Sequence, residues 1–211
     1  LQAALLSLTS LKPITMRLYN SPEFRDSLRQ VMRKRLFDVV HVESFYMMPN
    51  LPAPLNLPVL LSEPAIEFVA WGRHARVAQP LYQRPAIALE ALKMRYFEPR
   101  AWNHASMIGT MSEIDSAIVK RLNPSLPIRV TPNGVDVDFF KPSAITRDSD
   151  TAIFMGDYKY FPNTDAVLYF VHEIMPLVRA VRGEFKLILL GKEPAAEIVT
   201  LAAQPNSGIQ I

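Results

Sequence analysis

The chain contains no cysteine among its 211 residues. Disulfides, thiolate zinc sites and a cysteine nucleophile are thereby excluded. No apolar run reaches the roughly 18–20 residues needed to span a bilayer, and no signal peptide is visible. Neither a Walker P-loop nor a G-x-G-x-x-G dinucleotide fingerprint occurs, so an ATPase or a dehydrogenase has no support. A G-x-S-x-G serine nucleophile is absent as well. The four histidines (His41, His74, His104, His172) are far apart and form no metal-ligand pair at helical spacing, so no metal is expected. Charge of one sign is also lacking: the formal net charge is only +3. Positive residues are dispersed except for "RQVMRKR" at 29–35, read as a solvated helix face in preference to a nucleic-acid or membrane patch. No nucleic-acid partner is expected.

What remains is a globular composition, 49% hydrophobic and 20% charged, ample for a packed core. Short apolar runs alternate with longer helical stretches. "FDVVHV", "PVLLS", "SMIGTM", "IRVTP", "TAIFMG" and "FKLILLG" read as strands. Such nearly all-apolar runs suit parallel strands covered on both faces. Between them, 21–36, 84–105, 112–122, 163–181 and 193–203 read as helices. Ser21, Ser112 and Asn163 are expected N-caps, and Pro99 is expected to kink or divide the long helix over 84–105. Strand and helix in alternation predict an α/β fold of parallel sheets with right-handed crossovers. The pattern breaks at 133–150, a turn signal and polar linker. Two units follow: 1–132 and 151–211, joined by a linker.

In open parallel sheets ligands bind beyond the carboxyl ends of the strands. "FMGDYKYFPNTDA" places Gly156 at a strand end, Lys159 in the loop and Asn163 at the next helix start. "LLGKEPAAE" repeats the arrangement, with Gly191 and Lys192 at a strand end and Glu193-Pro194 opening the helix. Glycine allows close backbone approach and lysine offers a point charge, so two such loops on adjacent strands suit a diphosphate. The bland alternative is a pair of tight turns with solvent-facing lysines. "LLSEPAIEF" places Glu63 at a strand end and Glu67 one helical turn later. These could serve as acid or base; capping and helix-start charge is the reading favoured here. His41, inside an apolar strand, reads as a satisfied core histidine, and Trp71 and Trp102 as packing anchors.

"VTPNGVDVDFFKP" (130–142) is very similar to the inter-domain segment of bacterial family-4 ("group 1") glycosyltransferases, which have two Rossmann-like domains in the GT-B arrangement. "MIGTMSEIDSAIVKRL" resembles the segment just before it. "AIFMGDYKYFPNTDAVLYFVHEIMPLVRA" and "FKLILLGKEP" resemble the opening of the donor domain. The resemblance implies two Rossmann-like parallel-sheet units: a partial acceptor-side domain over 1–132, a hinge over 133–150 carrying Asn133, Gly134 and Asp136, and a donor-side domain over 151–211, expected to be incomplete. It implies metal-independent transfer of a sugar from a nucleotide-diphosphate sugar to an acceptor hydroxyl, with retention, in polysaccharide or cell-envelope glycan synthesis. No cofactor is implied, the nucleotide sugar being substrate. Gly156, Lys159, Asn163, Gly191 and Lys192 would be the donor-phosphate residues. The other partner would be a glycan or lipid-linked acceptor, in the cytoplasm, with peripheral attachment to the inner face of the membrane left open. Two family motifs, a glycine-rich acceptor loop and a late Glu-x7-Glu, do not occur in the chain, which is therefore expected to be an internal, inactive piece of a longer enzyme. Pro64 stands where some relatives carry a histidine, and no catalytic residue is assigned. The alternatives are a non-catalytic two-lobed α/β module closing on a small ligand, and, less well supported by the Asn-Gly-Val-Asp segment, a sugar-nucleotide epimerase.

Overall fold

A computed structural model describes residues 10–78, 81–142, 144 and 146–211. The first nine residues of the apolar opening lie outside it. The chain divides into two compact units after Asp136. Both are α/β units built on parallel sheets, Rossmann-like in their strand–helix alternation.

The first unit holds a four-stranded sheet in the order β1 (Val40–Glu43), β2 (Val59–Glu63), β3 (Met107–Thr110), β4 (Ile128–Val130). All neighbours are parallel, with Leu61 level with Val42 on one side and Ile108 on the other. The order follows the sequence, so these strands contain no reversal of the kind that opens a crevice in doubly wound sheets. The helices are α1 (Ile14–Leu18), α2 (Pro22–Lys34), α3 (Glu67–Val77), α4 (Arg84–Trp102) and α5 (Glu113–Leu122). Two begin as the sequence predicts. The Ser21 hydroxyl accepts from the Phe24 N–H, with Pro22 at the start of α2. The Ser112 hydroxyl accepts from the Asp115 N–H at the start of α5. α2 buries none of its residues, and Arg29 pairs with Asp26 at 2.8 Å, as a solvated basic face should.

α4 corrects one expectation. It runs unbroken through Pro99. The proline removes a single N–H three residues before the helix ends, while Glu98, Ala101 and Trp102 hold the last turn in the core. The buried residues of α4 are Glu90, Met94, Glu98, Ala101 and Trp102, a stripe at steps of mostly four. That spacing keeps them on one face. The stripe packs on Leu61, Ile108, Phe45 and Val119, each wholly inaccessible to solvent.

The second unit carries β5 (Thr151–Asp157), β6 (Lys186–Lys192) and β7 (Ile209–Gln210), parallel and in that order. α6 (Phe161–Tyr169) passes through a π turn (Phe170–Ile174) into α7 (Met175–Arg182). The wide turn falls just ahead of Pro176, which cannot donate to the His172 carbonyl. α8 (Ala196–Ala202) follows β6, and Val167, Met175, Leu187, Leu189 and Ile198 form the core.

The expectation that both faces of every strand are covered is met only in part. Ile153 and Met155 of β5 are 64% and 79% exposed, and β1 alternates buried and exposed positions. His41 is on the open side, with Nε2 2.8 Å from the Ser62 hydroxyl. It is a surface residue and not a core histidine, because apolar strand composition cannot reveal which face is left uncovered.

Trp102→Ala should be among the costlier substitutions in the first unit. It empties a fully buried site and takes the indole N–H from Glu63. A loss of about 3–5 kcal/mol is expected for such a truncation, read as a lower urea midpoint. A loss under ~1 kcal/mol would show that the unit does not pack around this ring.

Candidate functional site

In the second unit β5 and β6 run level to their carboxyl ends, with Gly156 opposite Gly191 and Asp157 opposite Lys192. The Tyr158 N–H donates to the Lys192 carbonyl at 3.2 Å, which carries the pairing into the loops. Both glycines are required by close approach. A Cβ at Gly156 would stand 2.7 Å from Asn163 Nδ2, and one at Gly191 would overlap the Gly156 carbonyl oxygen. The structure therefore brings Gly156, Asn163 and Gly191 together, with Lys159 in the loop after β5 and Lys192 the last residue of β6.

Asn163 is not a helix cap. α6 begins at Phe161 after Tyr160, and Asn163 lies in its first turn with Nδ2 donating to the Asp157 carbonyl at 2.9 Å. Pro162 takes an early helical position, where its missing N–H costs nothing, and so moves the start upstream. Asn163 acts instead as a strut beneath the loop. The Asp157 carboxylate accepts from the Lys159 N–H at 3.0 Å and completes a tight turn. The β6 loop is also longer than expected. Glu193-Pro194 does not open a helix; α8 starts at Ala196, since Glu193 has left-handed backbone with φ 53.

The Lys159 ammonium has a partner that sequence reading missed. Its Nζ is 2.7 Å from Glu193 Oε1. The pair joins the loops after β5 and β6, which lie far apart in sequence, so strand pairing alone reveals it. Lys192 is exposed beside it.

Around the unit boundary Asn133, Gly134 and Asp136 are exposed and outside regular structure. The predicted Asn-Gly turn does not form. Gly134 is absent from the positive-φ positions, and the turn comes later, at 137–139. Asn-Gly permits a left-handed turn without compelling one, since no antiparallel strand here closes back over it.

Of the acidic residues of "LLSEPAIEF" in the first unit, Glu63 ends β2 and Glu67 opens α3. Glu63 is 0% exposed. Its Oε1 accepts from Trp102 Nε1 at 2.9 Å, and Oε2 has no hydrogen-bond partner. Burial, then the neighbouring Glu98 carboxyl, pushes its pKa well up, against the Trp102 and Phe45 N–H dipoles. Burial and the Glu98 carboxyl both favour the neutral form of a group closed off from solvent. It does not cap α3, which corrects one half of the favoured reading, while Glu67 does stand in the first turn of that helix. α3 is capped across space. Glu98 of α4 accepts from the Glu67 N–H and the Phe68 N–H, one on each oxygen, both at 2.9 Å. Burial pushes Glu98 up to about 8, although both N–H bonds pull the other way. Glu67 is raised by burial and bonded to Trp71 Nε1 at 3.0 Å. The buried stripe 90/94/98/102 was the available signal for Glu98.

No protein-family model and no curated protein sequence matches the chain. Among the described residues no group of three or more His, Asp or Glu could hold a metal ion. None of the helices there is long and apolar enough to cross a membrane. A cavity of about 710 Å³ opens at the opposite, amino-terminal end of the first sheet, lined by Met16, Met48, Leu55, Val59, Phe97 and Arg100 among others.

The Glu98 carboxyl sets a pH dependence. Its folded pKa of about 8 lies above the ordinary 4.5. Between those values the folded chain keeps a proton that the unfolded chain has released, so stability is greatest at the acid end and falls as pH rises toward 8. One such proton gives a slope of up to about 1.4 kcal/mol per pH unit, and Glu63 and Glu67 act in the same direction. Urea unfolding from pH 5 to pH 8 should show this decline, and Glu98→Gln should make it shallower. A slope unaltered by Glu98→Gln would mean the carboxylate is ionised against the α3 amides throughout.

Proposed function

We propose that the protein serves glycosyl transfer: it moves a sugar from a nucleotide-diphosphate sugar to an acceptor hydroxyl with retention, in the cytoplasm, in the synthesis of a polysaccharide or cell-envelope glycan. The observation that supports this reading is the end of β5 and β6. Two glycines stand level on adjacent parallel strands, letting the strand ends and the Asn163 strut pack closely, and Lys159 stands in the loop beyond them. This lies in the part of the chain whose sequence resembles a donor domain. An ammonium there would meet the charge that develops on a departing diphosphate. Lys192 supplies a second positive group at the neighbouring strand end.

The roles divide by unit in this reading. The second unit holds the donor, the first holds the acceptor, and the segment 133–150 is the hinge between them. Glu63, Glu67 and Glu98 take no part in the chemistry; they hold the first unit together. Stabilising the leaving group is the catalytic contribution assigned to this chain's residues, and it falls to Lys159.

Isothermal titration of the full-length protein with UDP and with GDP, repeated on Lys159→Ala, tests the reading. One of the two nucleotides should bind, and Lys159→Ala should weaken it about tenfold or more, the loss expected for a charge-assisted hydrogen bond. No binding of either by well-folded protein would overturn the donor site and favour a two-lobed module for a different small ligand.

A further inference from the structure

Glu193 stands where the donor site needs positive potential. It is the first residue beyond β6, and its backbone is left-handed, φ 53. Non-glycine residues seldom adopt that conformation, and where they do the surroundings impose it, commonly near functional sites. The result is a carboxylate Oε1 placed 2.7 Å from Lys159 Nζ. Lys159 is itself set by the Asp157 carboxylate, which takes its backbone N–H. Two separately anchored loops thus present opposite charges to one another, at the level of Gly156 and Gly191.

The pair contributes little to folding. The two side chains are 67% and 58% exposed, and an ion pair so hydrated is weak and readily exchanged for another anion. Ligand phosphate and Glu193 carboxylate would use the same ammonium protons, and a carboxylate left beside a bound phosphate would repel it. We propose that Glu193 is a competitor built into the anion site: its carboxylate occupies Lys159 in the unliganded protein and is displaced when a nucleoside diphosphate binds. The inference rests on the donor-site reading and adds its regulation. The affinity of the site is set by the difference between two anions for one lysine. A ligand without a phosphate at that point gains nothing from opening the pair.

A double-mutant cycle on the full-length protein decides this, with UDP and GDP as probes in titration calorimetry. Glu193→Gln keeps the size of the side chain and removes its charge. It should tighten nucleotide binding about two- to fivefold, the worth of an exposed ion pair. The gain should vanish in the Lys159→Ala background, because the effect passes through the lysine. Unchanged or weaker binding by Glu193→Gln, with wild-type binding intact and lost in Lys159→Ala, overturns the competitor while leaving the donor site standing. An equal gain, or restored binding, in the Lys159→Ala background would show general repulsion and overturn it too. Failure of wild type and Glu193→Gln alike to bind either nucleotide sinks both proposals together.

Discussion

A buried carboxylate on one helix holds the amino terminus of another, and the first unit depends on that contact. The opening N–H groups of α3 have no side-chain cap of their own. They would be buried and unpaired but for Glu98 of α4, which takes one on each oxygen. Glu90, two turns earlier on the same face, does the same for the Ile14 N–H at the start of α1, at 2.7 Å, while pairing with Lys93. A buried donor without a partner costs about 1–3 kcal/mol, so removing either glutamate would affect two helices. α4 is thus more than a packed neighbour; its buried face sets where α1 and α3 begin.

The same arrangement explains why acids at the end of β2 are not a reactive centre. Glu63, Glu67 and Glu98 lie close enough for their charges to oppose one another. Two indole N–H groups, from Trp71 and Trp102, bind two of them. Burial is the largest upward pressure on all three pKa values, and neighbouring carboxyls add to it for Glu63 and Glu98. A neutral carboxyl against a tryptophan fits a core in which apolar contact dominates. At the end of β5 and β6 the conditions are reversed: the side chains of Lys159, Lys192 and Glu193 are hydrated and charged. The proposed donor site accordingly uses the second unit's exposed charges.

Strand runs, helix stretches and their alternation were legible along the chain because they depend on neighbouring residues. The six apolar runs became β1 to β6, and serine caps at 21 and 112 fall where hydroxyls can meet an N–H three residues on. Pro99 and Asn133-Gly134 misled for a common reason. Each residue type permits a break or a turn, but the surroundings decide whether it forms. Here the buried last turn of α4 carried the helix through the proline, and no facing strand called for a turn at Gly134.

The sequence by itself thus determined the α/β class, the two-unit division near the linker, and the glycines that let β5 and β6 close up at their ends. Those features follow from local periodicity and from the steric limits of single residues. Tertiary structure alone decided that Glu98 caps α3, that His41 faces outward, and that Glu193 meets Lys159. Each joins residues distant in sequence through sheet register or helix packing, and a titratable group takes its charge and partners from whatever the fold sets beside it.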